Sequence, residues 1–222
     1  MSAIERVPEP ELMEDPEQAA AYAAADFSEP HQAFVEHFRR CFPAFAGGRV
    51  LDLGCGPADV TIRFARAFPG AMLEGVDGAA AMLRHGRDAV ARAALSSRIA
   101  LRRLRLPAAG LAGAGYDAVI SNSLLHHLAE PLVLWQTVAA AAERGAPVLV
   151  MDLMRPESHE AVRQLVQLHA ADAPPVLRRD FSHSLLAAYR AEEVREQLRV
   201  AALAHLRVEV VSDRHWLAWG HV

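Results

Sequence analysis

The feature that most constrains the fold is a hydrophobic run that ends abruptly in two glycines, Val50–Pro57. Its first residues, Val-Leu-Asp-Leu, have the composition of a buried strand, and the Gly-Cys-Gly that follows predicts a tight turn. Pro57 suits the first turn of a helix, where a backbone N–H would have no partner in any case. A strand that passes through a glycine turn into a helix is typical of α/β folds that bring a ligand against the turn.

The chain downstream of this turn alternates strand-like and helix-like patterns. We predict strands at Arg49–Leu53, Met72–Val76, Ile99–Leu104, Tyr116–Ile120 and Pro147–Asp152, and helices at Pro57–Phe68, Ala79–Leu95 and Pro131–Arg144. Strands separated by helices indicate βαβ units, in which a parallel sheet carries helices on both faces.

The two ends of the chain add a cap, an insert and a hairpin. We expect a single domain composed of an N-terminal helical cap (1–46), a cofactor-binding core (47–155), a helical insert (156–204) and a C-terminal hairpin (205–222). The insert is predicted to contain helices at Glu157–Ala171, Ser182–Tyr189 and Ala191–Ala202, with a loop at Ala171–Pro175 and Asp180 as a helix cap. The strand-like runs Leu206–Val211 and His215–Gly220 flank a turn at Asp213. The predicted fold is a Rossmann-like three-layer sandwich with a mostly parallel seven-stranded sheet and an antiparallel edge hairpin.

Composition excludes several classes of protein. All 23 basic residues are arginine, and a Walker P-loop, a protein kinase and a Schiff-base enzyme each need a lysine. The net charge of −4 disfavours a dedicated nucleic-acid binder. Two cysteines, an acidic and proline-containing N-terminus, and no apolar run of about 18 residues favour a cytoplasmic protein without a membrane span. The 11 histidines do not follow a metal-ligand spacing, so we expect no metal.

The acids around the glycine turn indicate which ligand it binds. Asp59 stands where a dinucleotide-binding turn has its third glycine, and the carboxylate of Asp52 would repel a pyrophosphate by roughly 1–4 kcal/mol at ~4 Å. Asp77 ends the next strand, about 20 residues further on, where an acid can bind ribose hydroxyls. The set favours a nucleoside without phosphates that carries a positive charge, such as S-adenosylmethionine.

Three segments resemble the class I S-adenosylmethionine-dependent methyltransferases, in particular their small-molecule, ubiquinone/menaquinone-methyltransferase-like type. They are VLDLGCGPADVTIRFA, LEGVDGAAAML and YDAVISNSLLHHL, and the resemblance covers about residues 45–155. It implies that Asp77 binds the ribose hydroxyls and that Gly78 and Met82 flank the adenine. It also implies that the methionine part lies against Asp52, Gly54, Cys55 and Gly56. Arg105 stands where the family often has an aspartate, which leaves backbone groups near Arg105 and Leu106 for the adenine.

Simpler roles remain open for several of these residues. Asp52 or Asp77 could cap the helix that follows it, and Cys55 and Met82 could serve only in packing.

Candidate acceptor-side residues follow the fourth and fifth strands. The resemblance places Asn122 near the transferred methyl, and His126 or His127 could act as a base because histidine titrates near neutral pH. Asp152 and Arg155 end the fifth strand and are predicted to reach the substrate, with a structural ion pair as the alternative for Arg155. Tyr22 belongs to an N-terminal helix that we expect to cover the site.

The sequence therefore predicts methyl transfer from S-adenosylmethionine to a small-molecule acceptor by in-line displacement. Alternatives are a non-catalytic S-adenosylmethionine-binding partner subunit, an RNA or protein methyltransferase, and a nicotinamide oxidoreductase, which Asp52 and Asp59 disfavour. The acceptor atom and the oligomeric state stay open, since fold does not determine function.

Overall fold

The computed structural model describes residues 4–10 and 12–222, so Met1–Ala3 and Glu11 of the predicted cap lie outside the described residues. Seven strands form one sheet, and they are β1 (Gly47–Leu53), β2 (Gly70–Asp77), β3 (Ile99–Arg103), β4 (Ala118–Asn122), β5 (Pro147–Leu153), β6 (Arg207–Val210) and β7 (His215–His221). Their spatial order is β3-β2-β1-β4-β5-β7-β6, in which β1 to β5 are parallel and β7 is antiparallel to both neighbours. The predicted fold class is confirmed.

Eight α-helices connect and flank these strands in the described part of the chain. They are α1 (Pro16–Ala24), α2 (Ser28–Cys41), α3 (Asp59–Ala67), α4 (Ala80–Arg92), α5 (Leu132–Ala141), α6 (His159–Ala170), α7 (Pro175–Ala187) and α8 (Ala191–Val200). Asp15 caps α1 by accepting from Gln18 N at 2.8 Å, and Ser158 caps α6 in the same way. No helix that the structure describes is both long and apolar enough to cross a membrane.

One predicted helix start is wrong. The helix expected at Ser182–Tyr189 begins seven residues earlier, at Pro175, because proline at the first helical position is compatible with helix formation. Asp180 consequently lies inside α7 instead of capping a helix, and its buried carboxylate accepts from Gln18 Nε2 at 2.8 Å. This hydrogen bond ties α7 to α1.

The core has one layer on each face of the sheet, because alternate residues of a strand point to opposite faces. Val50 and Ile120 face a cluster of aromatic rings from α2, α3 and the residue after α3 (Phe34, Phe38, Phe64 and Phe68). Leu51 and Val119 face the opposite cluster, which includes Trp135 of α5, Leu198 of α8 and Trp216 of β7. Both faces of the central strands β1, β4 and β5 are therefore mostly buried, which leaves the strand ends to bind a ligand.

The chain order of the strands reverses next to β1, which lies between β2 and β4. Open α/β sheets bind ligands in the crevice that forms at such a reversal, outside the carboxyl ends of the strands. The glycine turn and Asn122 both lie at this end of the sheet.

Candidate functional site

A cavity of about 800 Å³ occupies the carboxyl ends of the parallel strands. Its floor is formed by the residues at which β1, β2, β4 and β5 end, and its roof by α1, the start of α2, the loop between α6 and α7, and α7 itself. A volume of this size is within the range of small-molecule and cofactor sites.

The glycine turn forms one wall of the cavity. Gly54 and Gly56 both have positive φ, at +74° and +52°, which L-residues with a side chain rarely adopt. A Cβ on Gly54 would lie 2.8 Å from the Cβ of Leu124, whereas one on Gly56 would meet only the Met82 methyl, at 4.0 Å. Gly54 is therefore required for packing, and Gly56 leaves its backbone open to a ligand.

Asp52 lies beneath this turn with only 1% of its surface exposed. Its Oδ2 accepts from the Thr61 hydroxyl at 2.6 Å, while its Oδ1 has no hydrogen-bond partner among the described residues. Burial, together with the nearby charge of Asp77, raises the pKa of Asp52 to about 7. Asp52 does not cap α3, whose N-cap is Ala58; it lines the cavity as a carboxyl group that a cation would stabilise in its charged form.

Asp77 connects the glycine turn to the start of α4. Its Oδ2 accepts from Gly56 N at 2.9 Å and its Oδ1 from Ala79 N at 2.7 Å. Each carboxylate oxygen has a further acceptor site, so a pair of vicinal hydroxyls can still bind. Burial raises the pKa of Asp77 above its usual range.

The other predicted cofactor residues surround this pair. Cys55, Gly78, Met82, Arg105 and Leu106 all line the cavity. Leu12 covers Gly78 so closely that a Cβ there would lie 2.5 Å from its methyl group. Met82 also packs with Ala19 and Ala79, so its packing role and its position on the cavity wall are both observed. Burial raises the pKa of the Cys55 thiol well above its ordinary value, which keeps it neutral.

Asn122, the last residue of β4, faces the centre of the cavity wall. Its Oδ1 is a buried polar atom without a hydrogen-bond partner in the described part of the chain. Because such atoms are costly when unpaired, this acceptor fits a donor supplied by a bound ligand.

His126 and His127 lie beside Asn122 in a 3₁₀ turn, Leu125–His127, with ring centroids 4.2 Å apart. His126 Nδ1 contacts Asp152 Oδ1 at 2.5 Å, and its Nε2 lies 3.4 Å from Glu9 Oε1. Burial disfavours the charged form of His126 and so lowers its pKa. The negative charges of Asp152 and Glu9 have the larger combined effect, and the pKa of His126 is raised above its usual value. Burial and the neighbouring His126 lower the pKa of His127 to about 3.

Two predicted substrate residues lie behind the cavity wall. The buried carboxylate of Asp152 accepts from Leu125 N, Leu153 N and His126 Nδ1, so it positions His126 instead of facing the cavity. The guanidinium of Arg155 donates to Ala188 O at 2.7 Å, to Ile4 O at 3.3 Å and to Glu193 at 2.6 Å. Neither residue lines the cavity, where we expected both, and Arg155 forms the ion pair that was the alternative for it. Tyr22 does line the cavity, and burial raises its pKa to about 12.

Sequence reasoning missed Glu9. It lies 117 residues before His126 in the chain, and its carboxylate is held by the Ser184 hydroxyl at 3.1 Å. No local pattern marks this residue, because its role depends on how the segment before α1 crosses the ends of the strands.

Comparisons with known proteins agree with this geometry. Residues 50–145 match a family profile described as a methyltransferase domain. A trans-aconitate 2-methyltransferase from Afipia carboxidovorans is 26% identical over 145 residues, which cover 64% of this chain and 51% of that protein. An uncharacterized methyltransferase from Mycobacterium bovis is 27% identical over 61% of this chain and 66% of its own length. The chain thus spans between about half and two thirds of the length of these curated relatives.

Solved structures share the fold. A SAM-dependent methyltransferase from Aquifex aeolicus superposes with a TM-score of 0.68 at 18% identity, covering 93% of this chain and 98% of that one. The plantazolicin methyltransferase BpumL, in complex with a triazolic desmethylPZN analogue and SAH, has a TM-score of 0.71 at 10% identity, covering 91% of this chain and 89% of that one. With the glycine turn, Asp77 and Asn122 around one cavity, the profile match identifies a methyltransferase domain at residues 50–145, and the solved structures show that the chain has the fold of S-adenosylmethionine-dependent methyltransferases.

Proposed function

We propose that this protein transfers a methyl group from S-adenosylmethionine to a small-molecule acceptor held in the roofed cavity. The observation that carries the proposal is the continuity of that cavity, which joins Asp52, Gly56 and Asp77 to Asn122, His126 and His127. When bound, S-adenosylmethionine supplies a methyl on a sulfonium: the acceptor's lone pair bonds to the methyl carbon while the carbon–sulfur bond breaks and leaves its electron pair on sulfur.

The chain's own residues would hold the cofactor from three sides. Asp77 would accept from the ribose hydroxyls while keeping its bonds to Gly56 N and Ala79 N. Asp52 would lie near the cationic methionine end, and the unpaired Oδ1 of Asn122 would accept a hydrogen bond there. Each assignment matches a free acceptor on the chain to a donor or a positive charge on the ligand.

The form of the cavity favours a small acceptor. Its roof is held down by side-chain bonds from three parts of the chain, including Gln18 to Asp180 and Glu9 to Ser184. A closed site excludes water and aligns the nucleophile with the methyl, and alignment alone can supply ~7–11 kcal/mol. The distant trans-aconitate methyltransferase relatives support the same class of acceptor.

His126 and His127 form the acceptor side of the site in this proposal. They line the cavity next to Asn122 and would hold the acceptor and favour the loss of its proton. The ubiquinone-like subtype and the cytoplasmic location remain predictions of the sequence alone.

Ligand binding is the first test. Thermal-shift and calorimetric titrations with S-adenosylmethionine, S-adenosylhomocysteine and NAD should show binding of the two sulfur nucleosides only. At ~100 times its Kd a ligand adds about 2.7 kcal/mol of stability, which raises Tm by roughly 5–10 °C for a chain of this size. Binding of NAD alone would contradict the methyltransferase proposal.

A second step tests the acceptor class. Purified protein is incubated with methyl-labelled S-adenosylmethionine and either low-molecular-mass cell extract, total RNA or total protein. Label should enter the small-molecule fraction. Label entering only RNA or protein would favour that alternative, and cofactor binding with no transfer to any fraction would favour the non-catalytic partner subunit.

A further inference from the structure

Three side chains on the acceptor side of the cavity converge within ion-pairing distance. The ligating atoms of Glu9, His126 and His127 all lie within 4.8 Å of each other. Glu9 Oε1 is 3.4 Å from His126 Nε2 and 3.2 Å from His127 Nδ1. Neither contact is a hydrogen bond, and His127 Nδ1 also lies 3.4 Å from Pro10 O, a long contact that a bound cation would replace.

The two distances from Glu9 to the histidine nitrogens match edges of a metal coordination shell. Zinc binds imidazole nitrogen at ~2.0–2.1 Å and carboxylate oxygen at ~2.0–2.2 Å in a tetrahedron, whose ligand atoms are then about 3.3 Å apart. Two imidazoles and one carboxylate are also the protein ligands of a common open type of zinc site, in which the fourth position is left for water or substrate.

A surrounding group of bonds already orients these ligands. Asp152 accepts from Nδ1 of His126, so Nε2 is the ring atom that faces Glu9 and would bind a cation on release of its proton. A carboxylate behind a metal-bound histidine is a recurrent arrangement that sets the tautomer and strengthens the ligand. Asp152 is itself held by Leu125 N and Leu153 N, and Ser184 donates to Glu9.

We propose that Glu9, His126 and His127 bind one divalent transition-metal cation, Zn²⁺ or a similar ion, with an open coordination position towards the cavity. Resting on the function proposed above, this site would bind an oxygen of the methyl acceptor. It departs from the sequence-based expectation of no metal, because Glu9 comes from the segment before α1 and completes no spacing pattern with the histidines.

Cobalt provides a direct test, since four-coordinate Co²⁺ has an intense visible absorption that the hexaaqua ion lacks. Protein freed of metal by a chelator is titrated with Co²⁺ and then with competing Zn²⁺, in the absence of cofactor and acceptor. We expect one equivalent to bind with the four-coordinate spectrum, and Glu9→Gln or His127→Asn to weaken binding by more than tenfold. The matched controls, His205→Asn and Glu160→Gln, change exposed residues of the same types and should bind as the wild type does.

The outcomes separate this proposal from the proposed function. Failure of Co²⁺ to bind a protein that binds S-adenosylhomocysteine would overturn the metal site alone, and would leave His126 as an ion pair between Asp152 and Glu9. Equal affinity in Glu9→Gln and wild type, or an equal loss in His205→Asn, would overturn it as well. A protein that binds Co²⁺ at this site but no sulfur nucleoside would retain the metal site and contradict the methyltransferase proposal.

Discussion

On the cofactor side of the cavity, all but one of the predicted ligands lie between Asp52 and Leu106, and Asn122 is the exception. On the acceptor side, the groups that meet come from Glu9, from His126 and His127, and from α7. The first set lies largely on two successive βα units whose strands pair directly. The second assembles only when the N-terminal segment crosses the sheet. The sheet therefore positions the predicted cofactor ligands, and the segments that cover it position the groups proposed to hold the acceptor.

The largest expected effect is a loss of cofactor affinity, caused by a substitution on the cofactor side. Asp77→Ala should abolish measurable S-adenosylhomocysteine binding, because two hydrogen bonds to a carboxylate contribute about 1.5–3 kcal/mol each, or roughly 10²–10⁴ in Kd together. Isothermal titration calorimetry measures the loss. Asp88→Asn, an exposed acid on α4, is the matched control. Unchanged affinity in Asp77→Ala would place the cofactor elsewhere.

A second prediction concerns the pH dependence of Asp52. Its pKa is 3.8 in the unfolded chain and about 7 in the folded protein, so the folded state holds one more proton between these values. Stability should therefore fall as pH rises from about 4 to 7, and the full cost applies above pH 7. Asp52→Asn, in which the amide oxygen can still accept from Thr61, should stabilise the ligand-free protein at pH 8 by roughly 2–4 kcal/mol and near pH 4 very little.

Denaturant melts of wild type and Asp52→Asn at the two pH values test this difference. A cationic ligand should also favour the charged form of Asp52, so cofactor binding near pH 7 should release protons in the wild type and fewer in the variant. Calorimetry in two buffers of different ionisation enthalpy measures that release. A variant that is less stable than wild type at pH 8 would contradict the prediction.

The smallest expected effect comes from a substitution that should slow methyl transfer while it leaves cofactor affinity nearly unchanged. Arg6 holds the N-terminal segment by donating to Ala187 O at 2.5 Å and to His126 O at 2.9 Å, with its guanidinium 4.1 Å from the centre of the Tyr189 ring. Arg6→Ala should cost about 1–2 kcal/mol of local stability, because these contacts are partly exposed. Methyl transfer should slow by roughly tenfold, which corresponds to ~1.4 kcal/mol. Affinity for S-adenosylhomocysteine should change by less than about threefold, or ~0.65 kcal/mol.

Hydrogen exchange gives an independent readout of Arg6→Ala. Amides of residues 4–10 and 125–128 should exchange faster than in the wild type, whereas those of β1 and β2 should not change. Arg66→Ala, an exposed arginine on α3, is the control. An equal loss of cofactor affinity and transfer rate would show that the two sides are not separable in this way.

Sequence patterns predicted most of the cofactor side. The strand before Gly54, the helix after Gly56 and the acid at Asp77 are separated by distances that the βα unit itself sets, so the pattern contains the geometry. The predictions that failed concern contacts over long separations. Arg155 was expected at the substrate, but its guanidinium meets Ala188 and Glu193 from the insert. Asp180 was expected to cap a helix, but α7 begins before it.

The sequence by itself determined the parallel sheet, its antiparallel edge and the glycine turn, because hydrophobic periodicity and glycine act over a few residues. It also predicted that Asp52 and Asp77 would lie close together, since neighbouring parallel strands end at the same edge, and both line the cavity. Only the tertiary structure decided that Asp152 holds His126 from behind, that Arg155 is an ion pair and that Glu9 reaches the two histidines. The physical reason is that these contacts join segments from 26 to 118 residues apart in sequence, whose meeting depends on the packing of the whole chain and not on any local preference.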